Sequence, residues 1–219
     1  GRESEDIEGM PVTFGVWDIG RLHNFVVAGR GHEDIEIDLE KDFGGGVPAI
    51  RAHLTGADYE AYLIVIPGEQ LAAIYDRWGT RLLEQNVRVF LQARGKVNKG
   101  IRITLENDPE MFFAYNNGIT VTAESLKTQE TPDGIVVTKL KNLQIVNGGQ
   151  TTASIHSASQ KKDADLSRVF VQMKLSIVDQ EKTVEVVPKI SEYANSQNRV
   201  NAADFFANHP FHIRMETFS

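Results

Sequence analysis

LQIVNGGQTTASI, Leu143 to Ile155, sets an apolar run against Asn147-Gly148-Gly149, then a polar Gln150-Thr151-Thr152, then a helix-like segment. The order reads as strand, glycine turn, helix. Backbone N–H groups at a helix start lack intrahelical partners and carry partial positive charge, and glycines let an anion approach them closely. The threonines add hydroxyls that can donate to an anion or ligand a metal. The plainer reading is equally open: a tight left-handed turn with helix caps, Asn147 and Gly148 being turn formers. It is not a Walker A loop, because no lysine follows the glycines.

Working outward, the second half carries strand candidates in GITVTAESL (118–126), GIVVTKLKNLQIV (134–146) and RVFVQMKLSIV (168–178). Helices are expected from Gly149 to about Ser159 and from Thr183 to about Asn195. In the first half, VTFGVWDI (12–19) and DIEIDL (34–39) partly alternate as half-buried strands do, and EAYLIVIPG (60–68) reads as a buried strand ended by Pro67-Gly68. The glycine triplet and proline of FGGGVPAI (43–50) predict a loop. Leu71, Ile74, Tyr75 and Trp78 share one helical face in GEQLAAIYDRWG, closed by Gly79. TRLLEQNVRVFLQ (80–92) begins as a second helix, and Asn98 caps a short helix in NKGIRITLEND. The expected class is α+β (mixed α/β): a mixed sheet with flanking helices. Residues 1–11 read as a flexible leader, 12–66 as a strand-rich segment and 67–219 as the core. HIRMETFS, at the end, has no helix stop, so the core is expected to be truncated there.

Composition sets limits. The chain of 219 residues is long enough for a substantial core. Its hydrophobic share of 41% and charged share of 24% are ordinary for a globular protein. No apolar run approaches the ~18 residues of a membrane span, so no membrane partner is expected. The charged start, GRESEDIEGM, is not a signal peptide. Cysteine is absent, which excludes disulfides and thiolate metal sites and fits a cytoplasmic location. The net charge of −7 gives no global basic field for nucleic acid, leaving only local patches.

Three further stretches bear on chemistry. In FFAYNNGITV, Phe112, Phe113 and Tyr115 read as packing residues and Asn116-Asn117-Gly118 as a turn before a strand. Two adjacent amides beside an aromatic can also read a base edge or a sugar. In ISEYANSQNRVNAADF, a helix runs into Asn195, Gln197, Asn198 and Asn201 around Arg199. Amides donate and accept without a charge cost and arginine forks a phosphate; a helix cap with loop-stabilising amides is the alternative. In EQNVRVFLQARGKVNKGI, Arg88 lies between Val87 and Val89, its stem packed, with Arg94, Lys96 and Lys99 as a local basic run. There is no His-Glu-x-x-His, no Gly-x-Ser-x-Gly and no acidic-x-Lys.

LLEQNVRVFL, VNKGIRITL, MFFAYNNGITVTA, LQIVNGGQTTASI and ISEYANSQNRVNAADF, in this order and spacing, resemble the signature blocks of the AIPR family, the abortive infection phage resistance proteins, from about Asp58 to Phe206. The resemblance implies a bacterial protein of antiphage defence, with other defence proteins as partners, but no defined reaction. A more distant similarity joins the second half to ParB-like domains and their Asp-Gly-Gln-x-Arg relatives. There a strand, glycine turn, helix, strand, helix and Asn-x-x-Arg element hold nucleotide phosphates and a metal. It implies that Gly148, Gly149, Gln150 and Thr151 cradle phosphate, that Asn195 lies near a metal and that Arg199 contacts phosphate. The chain departs from that pattern at Thr151 or Thr152, where an arginine is expected, and at Ala194, where a metal-binding Glu stands.

The expectation that results is a module that binds nucleotide or nucleic-acid phosphate through Arg88, Asn116, Asn117, Asn147, Gly148, Gly149, Gln150, Thr151, Thr152, Asn195, Gln197, Asn198 and Arg199. Two alternatives stay open. One is a metal-dependent nuclease or NTPase completed by residues outside this chain, with Mg²⁺ as the helper that hard oxygen ligands suit. The other is a non-catalytic scaffold in which Asn116, Asn147 and Asn195 are buried and paired within the protein.

Overall fold

The structure, a computed structural model, describes residues 34–52, 54, 59–84, 99–161 and 164–196. The elements that follow all belong to one unit, which begins at Ile35. In chain order they are β1 (Glu36–Asp38), α1 (Leu39–Asp42), β2 (Val47–Ala52), β3 (Glu60–Pro67), α2 (Gly68–Trp78), α3 (Lys99–Asn107), α4 (Phe112–Tyr115), β4 (Ile119–Ala123), β5 (Ser125–Thr131), β6 (Gly134–Lys141), β7 (Gln144–Asn147), α5 (Gly149–Lys161), β8 (Phe170–Ile177) and α6 (Thr183–Ser196). Short 3-10 turns lie at Gly79–Leu83, Pro109–Met111, Leu166–Arg168 and Gln180–Lys182. The fold is α+β, with a mixed sheet curled into a half-barrel and helices packed on it.

The curl follows from one long bent hairpin. β4 passes into β5 at Glu124, and β6 passes into β7 at Asn142-Leu143. β4 pairs antiparallel with β7, and β5 with β6. The outer edge of β4 pairs parallel with β8, while β6 pairs on to β2. β2 pairs with β3 and β3 with β8, so the strand order runs β1-β6-β2-β3-β8-β4-β7, with β5 paired to β6 beside it. The two bends are tied together: Asn142, at φ +53, donates its side-chain amide to Glu124 Oε2 at 2.7 Å and accepts at Oδ1 from Ile35 N at 2.8 Å. Asn tolerates left-handed backbone better than other residues with a Cβ, which suits it to the bend.

Alternation sorts the strands into two faces. Val171, Met173 and Leu175 of β8 point into the core, with Ile64 and Ile66 of β3 and Ile145 of β7. Helices cover that face. α2 buries Leu71, Ala72 and Ile74, α5 buries Ile155 and Ala158, and α3 contributes Leu105. α2 and α5 meet through the Tyr75 and His156 rings, edge to face at 5.2 Å, and through Asp76 Oδ1, which lies 3.0 Å from His156 Nε2 and accepts from Gln160 at 3.1 Å. Burial pushes the Tyr75 phenol above its ordinary pKa. Val146 faces the other way, into a small separate cluster with Val178 and Val187 of α6.

Two local expectations are corrected. The VPAI end of FGGGVPAI is not loop but the start of β2. Pro48 lies outside the first β2–β3 pair, Ala49↔Ile64, at a position where a strand tolerates a missing N–H. Phe112 is core, but Phe113 and Tyr115 are exposed, because α4 is a single turn and offers the core only one face. DIEIDL yields a three-residue strand and then a helical turn, capped by the Asp38 carboxylate, which accepts from Lys41 N at 3.1 Å. Asn98, the rest of the expected second helix beyond Glu84, and the expected strand at 12–19 lie outside the described residues.

Candidate functional site

One end of the sheet gathers the amide-rich motifs. Pro67, which ends β3, pairs with Phe170, which starts β8. β4 runs parallel to β8 and starts beside Met173. β7 runs the other way, so Asn147 at its end pairs with Thr120 near the start of β4. Asn116-Asn117-Gly118 and Asn147-Gly148 are therefore neighbours, and α2 and α5 both begin at this edge.

Each glycine is dictated by contact as well as by backbone angle. Gly118 has φ +73, and a Cβ there would stand 2.2 Å from the Gln172 carbonyl oxygen on β8. Gly148 has φ +90, and a Cβ there would stand 2.5 Å from Ile119 Cγ2 and 2.9 Å from Ile119 Cα. Turn, strand and turn are thus stacked at backbone distance, which only glycine permits. Asn116 closes the first turn: its backbone N–H donates to Phe112 O at 3.0 Å, and its Oδ1 accepts from Gly118 N at 2.9 Å.

α6 is clamped to the same edge by two reciprocal amides. Asn147 Nδ2 donates to the Ala194 carbonyl. Asn195 Nδ2 donates to Val146 O at 2.9 Å and to Ser191 O at 2.7 Å. Ser191 is buried beneath them. The amides satisfy the Val146 carbonyl at a strand end and the Ala194 carbonyl at a helix end, where ladder and helical partners run out.

The helix start divides its residues by face. Thr152 is fully buried, and its backbone N–H and Oγ1 both donate to Gly148 O, at 3.0 and 3.2 Å. Thr151 is also buried, while Gln150 is exposed. The first-turn N–H groups of Gly149, Gln150 and Thr151 have no carbonyl one turn earlier within α5. On the neighbouring turn Asn117 is exposed.

The structure therefore brings together Asn116, Asn117, Asn147, Gly148, Gly149, Gln150, Thr151, Thr152 and Asn195. Arg88, Gln197, Asn198 and Arg199 lie outside the described residues. Among the described residues no group of three His, Asp or Glu side chains stands close enough to hold a metal ion, and no helix is long and apolar enough to cross a membrane. Sequence reading marked Ala194 only as a departure from the ParB-like pattern, whereas it enters through its carbonyl; it overlooked Ser191, which enters through a carbonyl and a buried hydroxyl, and Tyr193, which is exposed beside them. Helical spacing carried one signal. Val187 and Ser191 define the buried face of α6, and Tyr193 falls off it.

A family model described as AIPR protein matches residues 83–219, more than half of the chain. No curated protein and no solved structure matches it. None of these comparisons bears out the more distant ParB-like similarity.

Proposed function

The chain belongs to the AIPR family, and from that footing we propose that it is an antiphage defence protein whose amide-lined edge captures the phosphate of a nucleotide or nucleic acid. The family points to abortive-infection defence; the phosphate site is our own reading. One observation carries it: the Asn116-Asn117-Gly118 turn, the Gly148-Gly149 start of α5 and the end of α6 converge on one edge. The N-terminus of a helix of this length attracts an anion, and the exposed Gln150 and Asn117 amides flank it as neutral donors. Asn147 and Asn195 act as girders, since their donors are engaged by carbonyls.

That pairing also favours a second reading, in which the edge is a scaffold knitted by its amides. Gln150→Glu separates the two. A carboxylate in the first turn stabilises a helix by about 0.3–1 kcal/mol but repels a phosphate. The test is a thermal-shift panel of nucleoside triphosphates and short nucleic acids, with and without Mg²⁺. A ligand at ~100 times its Kd adds ~2.7 kcal/mol of stability. The expected result is a selective shift that Gln150→Glu abolishes while the unliganded melting point holds or rises. A ligand shift unchanged in Gln150→Glu refutes the site, and no shift with any ligand favours the scaffold.

A further inference from the structure

We propose that Tyr115 and Tyr193 are base-stacking platforms, which makes single-stranded nucleic acid the ligand of the amide-lined edge. The inference rests on the phosphate reading of that edge and names its substrate class.

Tyrosine is ordinarily half-buried or more. Tyr115, however, is 66% exposed and Tyr193 is 70% exposed. Both leave the chain next to the motifs. Tyr115 precedes Asn116, whose side chain closes the turn into β4. Tyr193 precedes Ala194, whose carbonyl accepts from Asn147 at the end of β7. β4 and β7 are adjacent strands. The two tyrosine backbones are thus only a few strand spacings apart, within the reach of a short oligonucleotide. Asn117, two residues after Tyr115, and Gln150, three residues after Asn147, are both exposed, and each amide offers two donors and an acceptor suited to a base edge. Phe113, also exposed, adds a further ring on α4.

Charge selects among nucleic acids. The chain carries a net −7, and Glu192 stands exposed beside Tyr193. Lys174, opposite Thr120, is an exposed cation near the edge. A duplex is held mainly by cations on its phosphates, while its bases are stacked on one another and closed to outside rings. Unpaired bases present π-faces, and aromatic stacking on them tolerates any sequence. Binding through rings and amides also predicts a shallow dependence on salt.

The test measures binding of the full chain to a single-stranded oligonucleotide, in DNA and RNA arms, against a duplex and an abasic strand of equal length. The expected result is binding of the single strand at least roughly tenfold tighter than the abasic strand or the duplex, in either arm. Tyr115→Leu and Tyr193→Leu should each close most of that gap, and Tyr→Phe at the same positions should keep it. Unchanged melting points show that the leucine variants are folded; if one is not, the other and the phenylalanine pair still decide. Equal affinity for the single and abasic strands overturns the stacking proposal while leaving phosphate capture standing. Loss of the gap in both phenylalanine variants also overturns it. Binding of mononucleotides but of no oligonucleotide overturns the substrate class alone, and binding of neither overturns both readings.

Discussion

Gly148→Ala isolates the geometry that joins the two turns. Gly148 sits at φ +90. An L-residue held in left-handed backbone is strained by about 1–2 kcal/mol. The added methyl would meet Ile119 Cγ2 at 2.5 Å and the Ile119 backbone Cα at 2.9 Å. A side-chain atom can rotate away, but a Cα in the β4 ladder cannot, so a further ~1–3 kcal/mol of overpacking follows. The expected loss is about 2–5 kcal/mol, or roughly 4–20 °C for a chain of this size. Gly44→Ala is the internal control: φ is +84, and a Cβ there meets nothing within 4 Å. It should lose only the backbone share, about 1–2 kcal/mol. Equilibrium urea unfolding with a constant slope measures both. If Gly148→Ala loses no more than Gly44→Ala, then β4 and the start of α5 are not in backbone contact, and the argument for a built edge fails.

Two further perturbations test the surroundings. Asn195→Asp keeps the shape of the α6 clamp but turns a carboxylate oxygen toward Val146 O and Ser191 O. That should lose about 1–3 kcal/mol at neutral pH. The introduced acid has a raised folded-state pKa, because its protonated form can donate to those carbonyls. Its stability is thus present below the unfolded pKa of about 4 and lost as pH rises; a urea midpoint difference from wild type that is flat between acid and neutral pH would refute the clamp. Asp38 has its pKa lowered, first by the side-chain hydrogen bond from Lys139 and then by the backbone N–H of Lys41. Its contribution is present above the ordinary carboxylate range and lost as pH falls through the lowered pKa. Asp38→Asn should therefore be less stable than wild type at neutral pH by a margin that narrows in acid, read from paired melting curves; a margin that widens in acid contradicts the pairing.

Much of the secondary structure was legible, because it is local. GEQLAAIYDRWG presents one apolar face and ends on Gly79, which takes φ +54 as the helix stop. The alternation in RVFVQMKLSIV spans the whole of β8. The glycines of both turns were legible as turns, but not the atoms that compel them. The Gln172 carbonyl that crowds Gly118, and the Ile119 that crowds Gly148, each sit on another element far along the chain. Pro48 misled because a proline reads as a break until the partners on both sides of its strand are known. Phe113 and Tyr115 misled because a one-turn helix has no periodicity to show which ring is buried.

The order of elements, the α+β class and the AIPR blocks were determined by the sequence itself, since propensity, alternation and motif spacing need no distant partner. Tertiary structure alone decided that Asn147 and Asn195 hold a strand to a helix, that Thr152 turns inward, and that Gln150, Asn117, Tyr115 and Tyr193 are left facing solvent. An amide written in a sequence is a donor and an acceptor without an address. Whether it satisfies a carbonyl of its own chain or remains for a ligand depends on which groups the sheet's pairing brings within hydrogen-bond distance.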